Sequence, residues 1–277
     1  MQNLKSLTKS VFEYFLGHLV WLEPPSKLND VNALINQLVP VAIKQPLIRI
    51  GGKADGGYLM PDDFEGVVAI ISPGVSNEVS FDSEMAKRGK YIYMVDGSIA
   101  CPPISNPKFF FQKKFLDVFE NEDNLRLDSL SKSIREKYIG DQILQMDIEG
   151  AEYRVLLDTS DETLKNFRIM VIEFHHLDRM FASFPLGIIR ATFQKLLRSH
   201  YLVHIHPNNI SQPRARKNIK IPPVMEFTFY RKDRSEIDIN KKLVFPHPLD
   251  NDNLPHLPSL IWPECWRENR YLSKTYL

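Results

Sequence analysis

Seven short apolar runs recur along the chain: Val67 to Ile71, Tyr91 to Val95, Phe109 to Phe115, Ile143 to Met146, Ile169 to Phe174, Leu202 to His206 and Met225 to Tyr230. Each is of strand length, and most are rich in Val, Ile, Phe or Tyr, as strands buried in a sheet are. Helix-length stretches fall between them at Glu78 to Arg88, Ala151 to Asp158 and Ile188 to Ser199. This β-α-β rhythm predicts an α/β fold, a mostly parallel sheet with helices on both faces whose ligands bind beyond the carboxyl ends of the strands. The last two runs are joined by a loop without helical periodicity, which predicts an antiparallel hairpin at one edge.

Proline punctuation divides the chain. Pro24-Pro25 and Pro40 to Pro46 set off residues 1–45 as an N-terminal helical extension, residues 46–245 form the main domain, and the Pro- and Asn-rich residues 246–277 read as a tail packed on it through Trp262 and Trp266. The most apolar N-terminal stretch, Val11 to Leu22, contains Glu13 and His18. Twelve helical residues at ~1.5 Å rise do not cross a hydrocarbon core of about 30 Å. Glu13 and the lack of a small-residue cleavage site also argue against a signal peptide. A helix packed on the domain is expected there, with a peripheral membrane contact or a dimer interface as the weaker alternative.

Composition narrows the partners. The 277 residues carry 35 Lys+Arg against 34 Asp+Glu, a net charge of +1, with 43% hydrophobic residues. That is a globular composition without a global field to attract nucleic acid or an anionic membrane. Cys101 and Cys265 form no CxxC pair, so no zinc site or disulfide framework is implied and a reducing cytoplasm fits best. A small-molecule or glycan substrate is the expected partner, and a homo-oligomer stays open.

The chemistry gathers where the runs end. The first ends in Ser72-Pro73-Gly74-Val75-Ser76-Asn77-Glu78, where Gly74 lets backbone approach a ligand at a helix start. With one glycine it is no dinucleotide fingerprint, and a plain turn capped by Asn77 would look the same. Asp96-Gly97 ends the second run twenty-two residues after Gly74, where an acidic side chain commonly accepts from the hydroxyls of an adenosine ribose. Asp55-Gly56-Gly57-Tyr58 is either a cofactor-facing turn or a simple hairpin turn.

The fourth run opens into Asp147-Ile148-Glu149-Gly150-Ala151-Glu152. Three carboxylates where a buried strand meets a helix are costly unless hydrogen-bonded, metal-bound or reserved for chemistry. Asp147 and Glu149 are expected to share a side of extended backbone, and Glu152 to favour its helix start through the dipole. By the same alternation Glu173 pairs with His175, and His204 with His206, offering a general base, a divalent-metal site or both. Arg214, Arg216, Lys217 and Lys220 read as a solvated loop or as a lid over an anionic ligand.

Together these segments resemble the FkbM family of S-adenosylmethionine-dependent methyltransferases. The likeness runs in family order over residues 47–232: Asp55 to Tyr58, Gly74 to Phe81, Asp96-Gly97, Leu127-Asp128-Ser129-Leu130, Asp147 to Glu152, Glu173-Phe174-His175 and His204 to Asn209, with Phe245 to Asp250 beyond. Ser-Pro-Gly-Val-Ser-Asn stands where the family has a glycine-rich loop. The resemblance implies a class I methyltransferase (Rossmann-like) fold and a hydroxyl acceptor, first of all a sugar of a cell-surface polysaccharide or natural product. It implies cofactor contacts from Asp55, Gly56, Gly57, Tyr58, Gly74, Asn77, Glu78, Asp96, Gly97 and Asp128. Asp147, Glu149, His175 and His204 are the catalytic candidates, and Asp147, His175 and His206 the candidate ligands of a divalent metal, Mg or Mn. A nicotinamide-dependent oxidoreductase and a non-catalytic glycan- or partner-binding protein remain the alternatives.

Overall fold

The computed structural model describes residues 23–267, and the apolar stretch from Val11 to Leu22 lies outside them. Its main sheet has seven strands: β1 (Val67–Pro73), β2 (Tyr91–Val95), β3 (Phe109–Gln112), β4 (Asp141–Met146), β5 (Phe167–Phe174), β6 (His200–Pro207) and β7 (Met225–Arg231), in the order β3-β2-β1-β4-β5-β7-β6. β1 to β5 pair in parallel, and β7 runs antiparallel to both β5 and β6. The expected α/β class I architecture is therefore present. The hairpin is also there, but its second strand inserts between β5 and β6, so the antiparallel strand lies one place in from the edge.

Among the described residues six helices surround the sheet: α1 (Leu28–Gln37), α2 (Ser80–Lys87), α3 (Leu127–Arg135), α4 (Glu152–Asp158), α5 (Asp161–Leu164) and α6 (Ser183–Ser199). Strand alternation sends side chains to two faces. On one face Leu144, Met170 and Phe227 join residues of α1, α3, α4 and α6 and the rings of Trp262 and Trp266. On the other, Ile70, Ile143 and Val171 pack with Phe81 and Met85 of α2 and with a hairpin that pairs Leu47–Ile50 with Tyr58–Pro61. All eight residues of β5 are buried, as a strand covered on both faces must be. Phe174 at its end packs against Tyr153, Phe193 and Phe227.

The chain passes from β1 outward through β2 and β3, then crosses back to β4 on the other side of β1. A crevice opens at that reversal, between the carboxyl ends of β1 and β4. At the amino ends the sheet is tied shut by charge. Arg168 donates to Asp141 (2.8 Å) and Asp63 (2.9 Å), Arg231 makes two bonds to Asp141, and Arg234 makes two to Asp63. Among the described residues no helix is long and apolar enough to cross a membrane.

Candidate active site

The crevice is built around Gly74. Its φ of +84° suits glycine, and a Cβ there would stand 1.5 Å from the Asp147 carbonyl oxygen. The Gly74 amide donates to the Val95 carbonyl and the Asp147 amide to the Pro73 carbonyl, so the ends of β1, β2 and β4 are stitched together at this residue. Two cavities meet there. One, of about 320 Å³, lies under the Asp55-Gly56 turn and is walled by Tyr58, Asn77, Glu78, Asp82 and Gln145. The other, of about 390 Å³, is walled by Asp96, Phe115, Asp117, Ile148 and Arg154. Gly74, Ser76 and Asp147 belong to both.

Asp96 shapes the second cavity. Its Oδ2 accepts from the Val75 and Ser76 amides at 2.9 Å each, and its Oδ1 accepts from the Ser98 amide and hydroxyl. Burial alone would raise its pKa, but these hydrogen bonds outweigh it and hold the carboxyl below the ordinary value. Gly97 leaves room for the Phe115 ring, which a Cβ would meet at 2.5 Å. Gly57 lines neither cavity; a Cβ there would stand 2.0 Å from the Gly52 carbonyl oxygen. Asp128 also lies outside both, accepting instead from the Ser160 amide and hydroxyl.

Past β4 the backbone does not stay extended. Glu149 has φ +54°, so it and Asp147 do not share a strand face; its exposed side chain instead swings back toward His175. Glu152 does more than favour a helix start. Fully buried, its Oε1 accepts from the Ile148 and Gly150 amides and contacts His175 Nδ1 at 3.1 Å, which fixes both the turn and the ring. His175 Nε2 faces Glu149 at 3.4 Å, Glu173 at 3.7 Å and Asp147 at 3.8 Å. Burial would lower the imidazole's pKa, but Glu152, Asp147 and Glu149 outweigh that and raise it. Burial pushes Asp147 up to about 7 although His175 draws it down, and its Oδ1 has no hydrogen-bond partner. Burial likewise lifts Glu173 well above a normal carboxyl, helped by Asp147 and Glu226.

Asp147, Glu149 and His175 offer one ligand atom each within 4.8 Å of one another, and they are the group of that kind among the described residues. His206 is not in it. Because β7 inserts between β5 and β6, two strands separate His206 from Asp147, and His204 and His206 of β6 meet Asp250 instead, at 3.0 Å and 3.6 Å.

Residues 15–201 match the methyltransferase FkbM domain. The chain belongs to the FkbM methyltransferase family. The match covers the crevice and the Asp147–His175 cluster and stops at the start of β6, so that β7 and the Asp250 segment lie beyond it. No curated protein matches the chain. Among solved structures it is similar to a fibrillarin/Nop5p complex (12% identity, TM-score 0.34, covering 60% of this chain and 73% of that one). It is also similar to the Methanococcus jannaschii fibrillarin pre-rRNA processing protein (10%, 0.34, 68% and 83%). A third likeness is to the N-terminal domain of EvdMO1, determined in the presence of SAH and D-fucose (12%, 0.32, 75% and 97%).

Other residues of the FkbM site escape a reading by sequence. Asp82 sits inside α2, 3% exposed, with Oδ1 unpartnered at the first cavity and its carboxyl pushed by burial to about 7. Nothing in Phe81-Asp82-Ser83 marks it apart from a surface helix position. Glu226 does leave a trace, as the lone carboxylate in the otherwise apolar or hydroxylated Met225 to Tyr230 run.

Proposed function

We propose that the protein transfers a methyl group from S-adenosylmethionine to a hydroxyl of a sugar, in the making of a cell-surface polysaccharide or a natural product. The observation that carries this reading is the pair of cavities joined at Gly74 and Asp147, with His175 at the junction, in a chain of a methyltransferase family. The donor suits the crevice, whose walls include Asp82 and Asp147, each with a carboxylate oxygen that has no hydrogen-bond partner. The second cavity suits the adenosine, with Asp96 near the ribose, and the first suits the aminoacyl end between Asp55, Glu78 and Asp82.

The sulfonium supplies an activated methyl group, so the protein's task is alignment, exclusion of water and handling of one proton. His175 is the base in this reading. Glu152 holds its Nδ1, leaving Nε2 turned toward Asp147 and the acceptor. Asp147 orients the hydroxyl and stabilises the imidazolium that forms. In the alternative arrangement Asp147, Glu149 and His175 would hold a magnesium or manganese ion, with His175 Nε2 a ligand and not the base, and the ion would stabilise the alkoxide. His204 turns to Asp250 at 3.0 Å, and this reading gives it no part in the proton transfer.

Incubating the full chain with the donor and sugar acceptors, with and without magnesium, and reading methylated product by mass spectrometry tests the reaction. Product made by the wild type and lost in His175→Ala supports it. Donor binding without product from any acceptor favours the non-catalytic alternative, and binding of NAD in place of the donor favours the oxidoreductase.

A further inference from the structure

Strand register lines up a second set of polar groups beyond the family match. His206 of β6 pairs with Glu226 of β7, and Glu226 pairs with Glu173 of β5. Asp147 lies one residue past the Met146–Ile172 pair, level with Glu173. Four adjacent strands thus carry a single row, Asp147, Glu173, Glu226 and His206, along the carboxyl-end rim. The segment after β7 folds back over its far end. Asn209 holds that segment in both directions, donating to the Leu254 carbonyl and accepting from the Leu254 amide. Asn253 then reaches Glu226 (2.6 Å) and the Asp55 turn, and Asp250 stands between His204 and His206.

Under this fold-back lies a cavity of about 290 Å³, walled by His206, Asp250, Asn251, Asp252, Ser259 and Trp262, near the lower end for ligand pockets, about 300 Å³. Its polar walls are not self-satisfied. His206 is 7% exposed with neither ring nitrogen in a hydrogen bond, its Nδ1 standing 3.6 Å from Asp250, whose Oδ1 is taken by His204 Nε2 at 3.0 Å. Buried polar atoms of this kind are costly unless a ligand or water pairs them. Asp250 and Asp252 disfavour a phosphate or carboxylate, and the polar lining disfavours an apolar group. A hydroxyl both donates and accepts, so neighbouring hydroxyls of one ring satisfy imidazole, amide and carboxylate together.

We infer that this cavity is a second acceptor subsite, which takes a neutral sugar ring next to the one that is methylated. The inference rests on the sugar-acceptor reading above. Three strand spacings of about 4.8 Å put His206 some way along the rim from Asp147, beyond the reach of a single pyranose. The acceptor is therefore an oligosaccharide of two or more rings, lying along the rim with its reacting hydroxyl at Asp147.

Saturation-transfer NMR on the full chain with S-adenosylmethionine, using neutral mono-, di- and trisaccharides of hexose and 6-deoxyhexose units, tests the subsite. Di- or trisaccharides should bind at least tenfold more tightly than their single rings, with saturation on both rings. Asp252→Ala and His206→Ala should each remove that advantage and the distal-ring signal, leaving donor binding unchanged. Equal affinity for one and two rings, or an advantage that survives both substitutions, overturns the subsite and spares the methyltransferase reading. Absence of any saccharide binding by protein that binds the donor overturns both the subsite and the sugar acceptor. Failure to bind the donor at all counts against the methyltransferase reading itself.

Discussion

Carboxylates are partly or fully buried at both ends of this sheet, and the two ends treat them differently. At the amino ends, Asp63 and Asp141 are matched by Arg168, Arg231 and Arg234, and Tyr230 adds a bond to Asp63. Burial would raise both carboxyls, yet the arginine hydrogen bonds outweigh it and hold them below normal. At the carboxyl ends, Asp147, Glu173 and Glu226 make no ion pair with a guanidinium among the described residues, and burial raises all three, although His206 and Arg49 draw Glu226 partly back. One set of charges is spent on holding strands together. The other is left with raised pKa values, as the site proposed here for a proton and a cationic donor would require.

Removing charge should separate the two ends most sharply at Arg168, whose side chain is 5% exposed. Arg168→Ala removes the buried guanidinium that Asp63 and Asp141 share, leaving Arg234 on one and Arg231 on the other, and is expected to cost about 1.5–3 kcal/mol in urea unfolding. A loss under about 1 kcal/mol would mean that the amino-end network is not a structural tie.

Asp147→Asn should behave in the opposite way. Methyl transfer should fall by about 10²-fold or more, while stability at pH 7 holds or rises, because a buried carboxylate with a raised pKa weakens the fold when ionised. The sign follows from linkage: with a folded pKa of about 7 against an unfolded value near 3.9, the folded state holds the extra proton between them. Wild-type stability should therefore decline as pH rises from about 4 to about 7, and Asp147→Asn should flatten that part of the curve. Asp63 and Asp141, with lowered values, contribute stability above the unfolded pKa that is lost as pH falls through their folded pKa. A parallel decline in wild type and Asp147→Asn would remove Asp147 as its source.

The smallest effect is a shift of position. A raised His175 pKa means the ring becomes a free base only above the ordinary histidine value near 6.5. The acid limb of the rate profile should therefore lie above that pH, and Glu152→Gln should move it lower. An acid limb unmoved by Glu152→Gln would exclude His175 as the titrating base.

How much of this was legible in sequence follows from range. Strand runs are local patterns, and six of the seven reappear nearly in place. The seventh splits because the chain leaves β3 at Gln112 and Phe115 pairs with Asn124 instead. Gly74, Asp147 and His175 stand at strand ends, where topology alone gathers them, so type and position sufficed. Long-range facts were out of reach. That β7 lies between β5 and β6 depends on pairing across the sheet, and it decides that His206 meets Asp250 rather than Asp147. Helix α3 carries Leu127, Leu130 and Ile134 at i, i+3 and i+7, a helical stripe that was legible in the sequence and was passed over beside the longer apolar runs.

The most direct test of a donor site at the open end of the sheet is calorimetric titration of the full chain with S-adenosylmethionine and, separately, NAD, each with and without magnesium or manganese. Binding of S-adenosylmethionine at micromolar strength, about −8 kcal/mol, lost in Gly74→Ala and not matched by NAD, is the predicted result. No heat from S-adenosylmethionine under any of these conditions, or tighter binding of NAD, would contradict it.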